Sequence, residues 1–169
     1  MCGIFGYIGF NKKNIKINSS IDKAFKLLSH RGPDNQKEYH NSDVSILFKR
    51  LKIIDLSEKS NQPFFNNNKK IFLVFNGEIY NFLELKAQLE KINIIFKTAS
   101  DTEVLMRLYE HYGVSFVKKL RGMFSIIIFD NIKNKTYFFR DPLGQKPLHY
   151  IKYRGGIIFS SEIKDIVFL

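Results

Sequence analysis

The chain has 169 residues, 44% of them apolar, with 17 Phe and 8 Tyr and a formal net charge of +11. That length suits one domain, and that apolar content supplies a sizeable core, which excludes a disordered chain. The single cysteine excludes an internal disulfide and a multi-cysteine zinc site, the four dispersed His make no HExxH spacing, and no window reaches the roughly 18 apolar residues of a membrane helix.

The first element is "CGIFGYIG" (2–9), apolar and glycine-studded, which reads as a buried strand; Gly3 and Gly6 mark close approach by a neighbouring backbone or a ligand. In 19–30, Ile21, Ala24, Phe25 and Leu28 recur at helical spacing behind Ser20 as N-cap, and "RGPDN" (31–35) breaks the pattern. "VSILF" (44–48) and "KIIDL" (52–56) read as short strands, and 57–70 as a long polar loop. "IFLVF" (71–75) is a strong strand that "NGEIYN" (76–81) interrupts. A helix over 82–92 follows, with Leu85 and Leu89 one turn apart, Phe82 and Ile92 on the same side, and Asn81 as its cap. Ser100 and Glu103 form a capping box for a second helix over 100–112. Segments 123–130 and 135–139 make one hairpin, 147–153 and 156–161 another, and 161–169 starts a last helix. Strands, two helices and more strands do not alternate as βαβ units, so the order predicts an α+β layered fold with antiparallel sheets. The lysines lie singly or in pairs with no basic tail, which describes a solvated surface and no nucleic-acid partner. No charged region precedes a long apolar stretch at the N-terminus, so the expectation is a cytoplasmic protein without a signal peptide or membrane span.

Several residues have chemistry to offer. Removal of Met1 would leave Cys2 with a free α-amino group beside its own thiol, a nucleophile with a built-in general base; a buried, inert cysteine is the competing reading. Asn76 and Gly77 pair a side-chain amide with a backbone N–H at a glycine, a sound oxyanion hole, although an ordinary Asn-Gly turn uses the same residues. Arg50 is suited to a carboxylate. Glu78 and Asp101 sit near a turn and a helix start, where they serve either a cationic substrate group or the helix itself. Arg31 with Asp34, and Arg140 with Asp141, read as loop-shaping salt bridges, and His30 as a structural hydrogen bonder.

Together "MCGIFGYIG", "HRGPD", "KRLKIIDLSEKSNQPF", "FNGEIYN", "SDTEVL", "RGMFSIIIFD", "RDPLGQKPLHY" and "FSSEIK" resemble the class II glutamine amidotransferases, whose nucleophile is an N-terminal cysteine. Within that family the likeness is to the glutaminase domain of asparagine synthetase, to which "HRGPD" and "NQP" point. The resemblance implies a four-layer αββα sandwich, the N-terminal-nucleophile hydrolase fold, over residues 1–169. It implies Cys2 as nucleophile with Asn76 and Gly77 as oxyanion hole. It further implies Arg50 on the substrate α-carboxylate, Glu78 and Asp101 on its α-ammonium, and the backbone of Ile53 and Ile54 lining the pocket.

The reaction so implied is hydrolysis of L-glutamine to L-glutamate and ammonia through a γ-glutamyl thioester, with no metal and no cofactor in this domain. ATP and Mg2+ belong to a synthetase domain or subunit that amidates aspartate with the ammonia. No pyrophosphate-binding loop of the SGGxDS kind occurs here, so that domain is expected to be absent and the end at "SEIKDIVFL" to be truncated. Two other readings compete: a glutaminase serving another acceptor such as a sugar or polysaccharide precursor, and a non-catalytic interaction module with the same fold.

Overall fold

The computed structural model describes residues 1–9 and 26–167. The predicted helix over 19–30 lies largely outside them, with Ser20, Ile21, Ala24 and Phe25. The contacts divide the chain into two compact units, Met1–Leu51 with Pro147–Leu169, and Lys52–Lys146.

The first unit is built on a five-stranded antiparallel sheet. Its strands are β1 (Gly3–Gly9), β2 (Asn35–His40), β3 (Val44–Arg50), β8 (His149–Tyr153) and β9 (Gly156–Ser160), in the order β2-β3-β1-β9-β8. The two-residue period of a strand places Phe5 and Tyr7 on one face, opposite Leu47 on β3 and Ile158 on β9. That face packs against Leu28, in a short 3-10 segment (Leu28–His30), and Ile166, in helix α3 (Ile163–Val167). Burying such side chains stabilises by about 1.5–3 kcal/mol each. The β8–β9 hairpin turns on Arg154 and Gly155, at φ 46° and 74°, the pair of left-handed residues a two-residue turn demands. β2 escapes prediction because "NQKEYH" has no apolar alternation; as an edge strand it is held by its ladder to β3 and leaves most side chains in solvent.

The second unit carries a four-stranded antiparallel sheet, β4 (Phe64–Phe65), β5 (Ile71–Ile79), β6 (Gly122–Asp130) and β7 (Lys135–Arg140), in sequential order. Leu73 and Phe75 on β5 face the same side as Phe124, Ile126 and Ile128 on β6. Helix α1 (Phe82–Glu90) covers that side with Leu85 and Leu89, and α2 (Asp101–Tyr112) covers it with Val104, Leu105, Leu108 and Tyr109. No helix among the described residues is long and apolar enough to cross a membrane.

Four local expectations need correction. "KIIDL" is not a strand: Ile53 and Leu56 are exposed, and the Asp55 carboxylate accepts from Ser57 N and Ala99 N, at 2.8 and 2.9 Å, which bends the segment into a loop. "NGEIYN" does not interrupt β5, which runs through Asn76, Gly77 and Glu78 to Ile79, opposite Ser125, Phe124, Met123 and Gly122. Asn76-Gly77 is therefore strand and not turn. Asn81 precedes α1 without capping it; its amide instead donates to Lys119 O and accepts from Arg121 N, at 3.0 and 2.9 Å. Ile92 lies beyond α1 and is exposed.

Candidate active site

In the first unit, the β1–β3 register pairs Gly3 with Lys49, so one further step sets Cys2 opposite Arg50. The Cys2 sulfur accepts from Leu51 N at 3.4 Å and lies 3.8 Å from Leu51 O. Arg31 holds the same residue from another direction, its Nε donating to Cys2 O at 2.9 Å. Arg31 Nη1 reaches Glu162 Oε1 at 3.1 Å, and Arg31 Nη2 is buried without a partner. His30 Nε2 also meets Glu162 Oε1, at 2.8 Å, while its Nδ1 sits 2.8 Å from Leu27 O, the structural role expected of it. Burial would raise the Glu162 carboxyl, but Lys164, Arg31 and His30 outweigh it and hold it down at about 2. Beyond Gly3, Ile4 N donates to Ser161 Oγ and Ile4 O accepts from Ser161 N, at 3.0 and 2.8 Å. The start of β1 is thus fixed by contacts to its backbone. Arg50 ends β3 with only 6% exposure.

The loop charges do shape loops, by other partners than the sequence reading named. Arg31 acts on Cys2 and Glu162. Asp141 accepts from the N–H groups of Phe124, Gln145 and Lys146, and Arg140 donates to the carbonyls of Lys146 and Gly144.

In the second unit, β5 places Asn76, Gly77 and Glu78 in succession. Asn76 is 1% exposed, and its side-chain Nδ2 has no hydrogen-bond partner. Such an orphan is costly, about 1–3 kcal/mol, so a donor left this way is poised for an acceptor that arrives with a ligand. Gly77 cannot carry a side chain: a Cβ there would meet Met123 O at 2.2 Å and Phe124 Cα at 2.7 Å.

The order of groups along one edge of β5 matters. Backbone groups two residues apart point to the same edge of a strand. Leu73 pairs with Phe64 of β4 on that edge. Phe75 N and O meet the side-chain amide of Gln62, at 2.5 and 3.2 Å. Ile79 N donates to Asp101 Oδ2 at 3.4 Å. Gly77 N–H faces the gap between Gln62 and Asp101.

Asp101 opens α2, where Ser100 Oγ accepts from Glu103 N at 3.2 Å as the N-cap. The reciprocal half of the capping box is missing, because the buried Glu103 carboxylate instead accepts from Lys97 N, Thr98 N and Thr98 Oγ1, and pairs with Arg107. Burial pushes the Asp101 carboxyl up to about 6; the Glu78 charge adds to the rise, and the N–H groups of Ile79 and Thr102 oppose it. A second cation-seeking carboxylate thus lies beside Glu78. Ile53 and Ile54 lie at bends of the 52–56 loop, with the Ile53 side chain in solvent. Among the described residues no group of three or more His, Cys, Asp or Glu is placed to hold a metal ion.

A family model described as a glutamine amidotransferase domain matches residues 1–168. The chain belongs to the glutamine amidotransferase domain family. This amidotransferase domain is 43% identical over 173 residues to asparagine synthetase [glutamine-hydrolyzing] 2 of Bacillus subtilis (strain 168), an alignment covering 98% of the chain and 22% of the relative. It is 40% identical over 185 residues to a putative asparagine synthetase [glutamine-hydrolyzing] 2 of Methanocaldococcus jannaschii, covering 99% of the chain and 35% of the relative. The domain therefore spans about a fifth to a third of the length of these curated relatives. Among solved structures, glutamine phosphoribosylpyrophosphate amidotransferase from B. subtilis superposes with a TM-score of 0.73 at 22% identity, covering 98% of this chain and 43% of that one. That likeness establishes the fold: the α+β, N-terminal-nucleophile-type amidotransferase fold expected from the motifs.

Two residues that organise these groups are missed by sequence reasoning. Gln62 sits in the loop read as merely polar, where only the Pro63-Phe64-Phe65 apolar run hints at burial. Glu162 stands in a segment read as a helix start, and nothing local marks it as the partner of Arg31.

Proposed function

We propose that the domain hydrolyses L-glutamine to L-glutamate and ammonia through a thioester on Cys2. The observation that carries this reading is the buried Asn76 Nδ2, without a hydrogen-bond partner, next to Gly77 on β5. In this reading Met1 is removed, and the freed α-amino group of Cys2 takes the thiol proton. The sulfur attacks the γ-amide carbon of glutamine, and the carbonyl oxygen, now negative, is held by Asn76 Nδ2 and Gly77 N–H. The amine returns the proton to the departing nitrogen, which leaves as ammonia. Water, deprotonated by the same amine, then attacks the thioester, releasing glutamate and restoring the thiol.

Arg50 holds the substrate α-carboxylate, and Glu78 with Asp101 holds its α-ammonium. The exposed side chain of Ile53 leaves backbone as the group that this loop and Ile54 offer. One cation and two anions match an α-amino acid zwitterion, and an amide lacking those charges would leave buried charges unpaired. The ammonia serves an ATP-dependent amidation of aspartate of the asparagine synthetase type, carried out by a synthetase domain or subunit in which ATP and Mg2+ act. Support comes from the relatives, both named as glutamine-hydrolysing asparagine synthetases. A cytoplasmic site of action goes with this reading.

The test is glutamate release from L-glutamine by the Met-trimmed protein and by Cys2→Ala. The variant is expected to lose activity by about 10^3-fold or more, with a glutamyl adduct of the wild type visible by mass spectrometry. Equal rates in the two proteins would refute the assignment.

A further inference from the structure

The "NQP" motif has no part in the chemistry above, yet its glutamine is among the most constrained polar side chains of the second unit. Gln62 is 4% exposed and sits beside a strand it does not belong to. β4 supplies only two residues to the edge of β5, paired with Phe72 and Leu73, so the next backbone pair on that edge, at Phe75, has no strand opposite it. Gln62 takes the place of the missing peptide group: its Oε1 accepts from Phe75 N at 2.5 Å and its Nε2 donates to Phe75 O at 3.2 Å. The amide has a second N–H to give, and Thr102 Oγ1 lies 3.4 Å from Nε2. Phe75 is the residue before Asn76, and Thr102 is the residue after Asp101.

We infer that Gln62 is a positioning residue, which ends the β4–β5 ladder one step short of Gly77 and ties the oxyanion donors to the helix start bearing Asp101. The inference rests on the glutaminase reading. A strand in place of Gln62 would continue along the edge and cover Gly77 N–H. A side-chain amide satisfies Phe75 alone and leaves the following N–H facing an open gap. Because the same amide spans both elements, a shift of β5 relative to α2 would move the oxyanion donors and the ammonium partner apart. A misplacement of about 1 Å at such donors is enough to cost about 100-fold in rate.

The experiment is steady-state glutaminase kinetics with L-glutamine, run beside melting temperatures for three variants and Cys2→Ala. Gln62→Met keeps length and volume but offers no hydrogen bond, and is expected to lower kcat by about 10- to 100-fold. Thr102→Val removes only the tie to α2 and is expected to raise KM by about threefold to tenfold while kcat stays within about twofold. Tyr109→Phe removes a buried bond of the same unit, Tyr109 Oη to Asp130 at 2.7 Å, and is expected to lower Tm with both constants kept. The inference is overturned if Gln62→Met retains wild-type kcat, or if Tyr109→Phe shows the same kinetic losses at equal loss of Tm. Should Gln62→Met fail to fold, Thr102→Val decides, and an unchanged KM overturns the inference. Wild-type turnover that survives Cys2→Ala would instead strike the underlying reading, whatever Gln62→Met does.

Discussion

The start of β1 and the middle of β5 both carry candidate chemistry, and they are held in place by opposite means. Asn76 and Gly77 lie inside a nine-residue strand, paired in unbroken register with β6. Cys2 precedes its strand, so the ladder that orders Gly3 onwards does not fix it from both sides. Its position comes from Leu51 N on the sulfur and from the Arg31 guanidinium on its carbonyl, itself gripped by Glu162. A group that must sit at a chain end is ordered by side chains from distant sequence. A group inside a strand inherits its order and needs only an edge left open.

The sharpest way to break that contrast is at Asn76. Its backbone is held by the ladder, so Asn76→Ala removes a donor without releasing the strand. The expected result is a fall in kcat of about 100- to 1000-fold, KM for glutamine changed little, and Tm unchanged or raised because a buried orphan is removed. Steady-state kinetics and a thermal melt check it. A large loss of Tm with a proportionate loss of activity would mean that Asn76 is structural.

The second test concerns Asp101, which opens α2 and accepts from Ile79 N at the edge of β5. An acid raised by burial to about 6 is protonated below that pH and disfavours the fold when ionised above it. Only the carboxylate attracts the ammonium of glutamine, which relieves the burial cost. Binding is therefore expected to release a proton, and affinity to fall toward tenfold per unit as pH drops below about 6. Calorimetric titration of L-glutamine into Cys2→Ala between pH 4.5 and 7.5 isolates binding from turnover. Asp101→Asn should bind more weakly at pH 7 and show a flat profile through the same range. An unchanged pH dependence in that variant would refute Asp101 as the group responsible.

The sequence carries the architecture and the list of candidate residues further than it carries their local setting. Near-continuous apolar runs in "IFLVF" and "MFSIIIFD" mark the paired core of β5 and β6, because a strand buried on both faces does not alternate with polar positions. The same rule misreads "KIIDL", where Ile53 and Leu56 face solvent while Asp55 organises the bend. It also stops β5 too early, because Asn76, Gly77 and Glu78 look like a turn to local propensity. The close approach of Met123 O that excludes a Cβ at Gly77 is a tertiary fact. Asn81 fails as a cap for a similar reason: Lys119 and Arg121, far along the chain, compete for its amide and win. Gln62 and Glu162 act through partners 13 and 131 residues away, a separation no window of local pattern spans.

The smallest expected effect sharpens the other side of the contrast, the clamp on Cys2. Glu162→Gln keeps the shape but removes the charge that Arg31, His30 and Lys164 share. The Glu162 carboxyl is held at about 2 in the fold, below its unfolded value of about 4.3, so its contribution to stability is complete above pH 4.3 and is lost as pH falls toward 2. The side chain is 20% exposed, which screens part of the interaction. The expected loss is therefore about 1 kcal/mol at pH 7, converging on the wild type near pH 2, as read by denaturant unfolding. The Arg31 bond to Cys2 O survives the change but its guanidinium is less firmly seated. Glutaminase kcat is accordingly expected to fall by about twofold to fivefold with KM unchanged, far less than at Asn76. An Asn76-sized loss at Glu162 would mean that the clamp, and not the oxyanion donors, limits the rate.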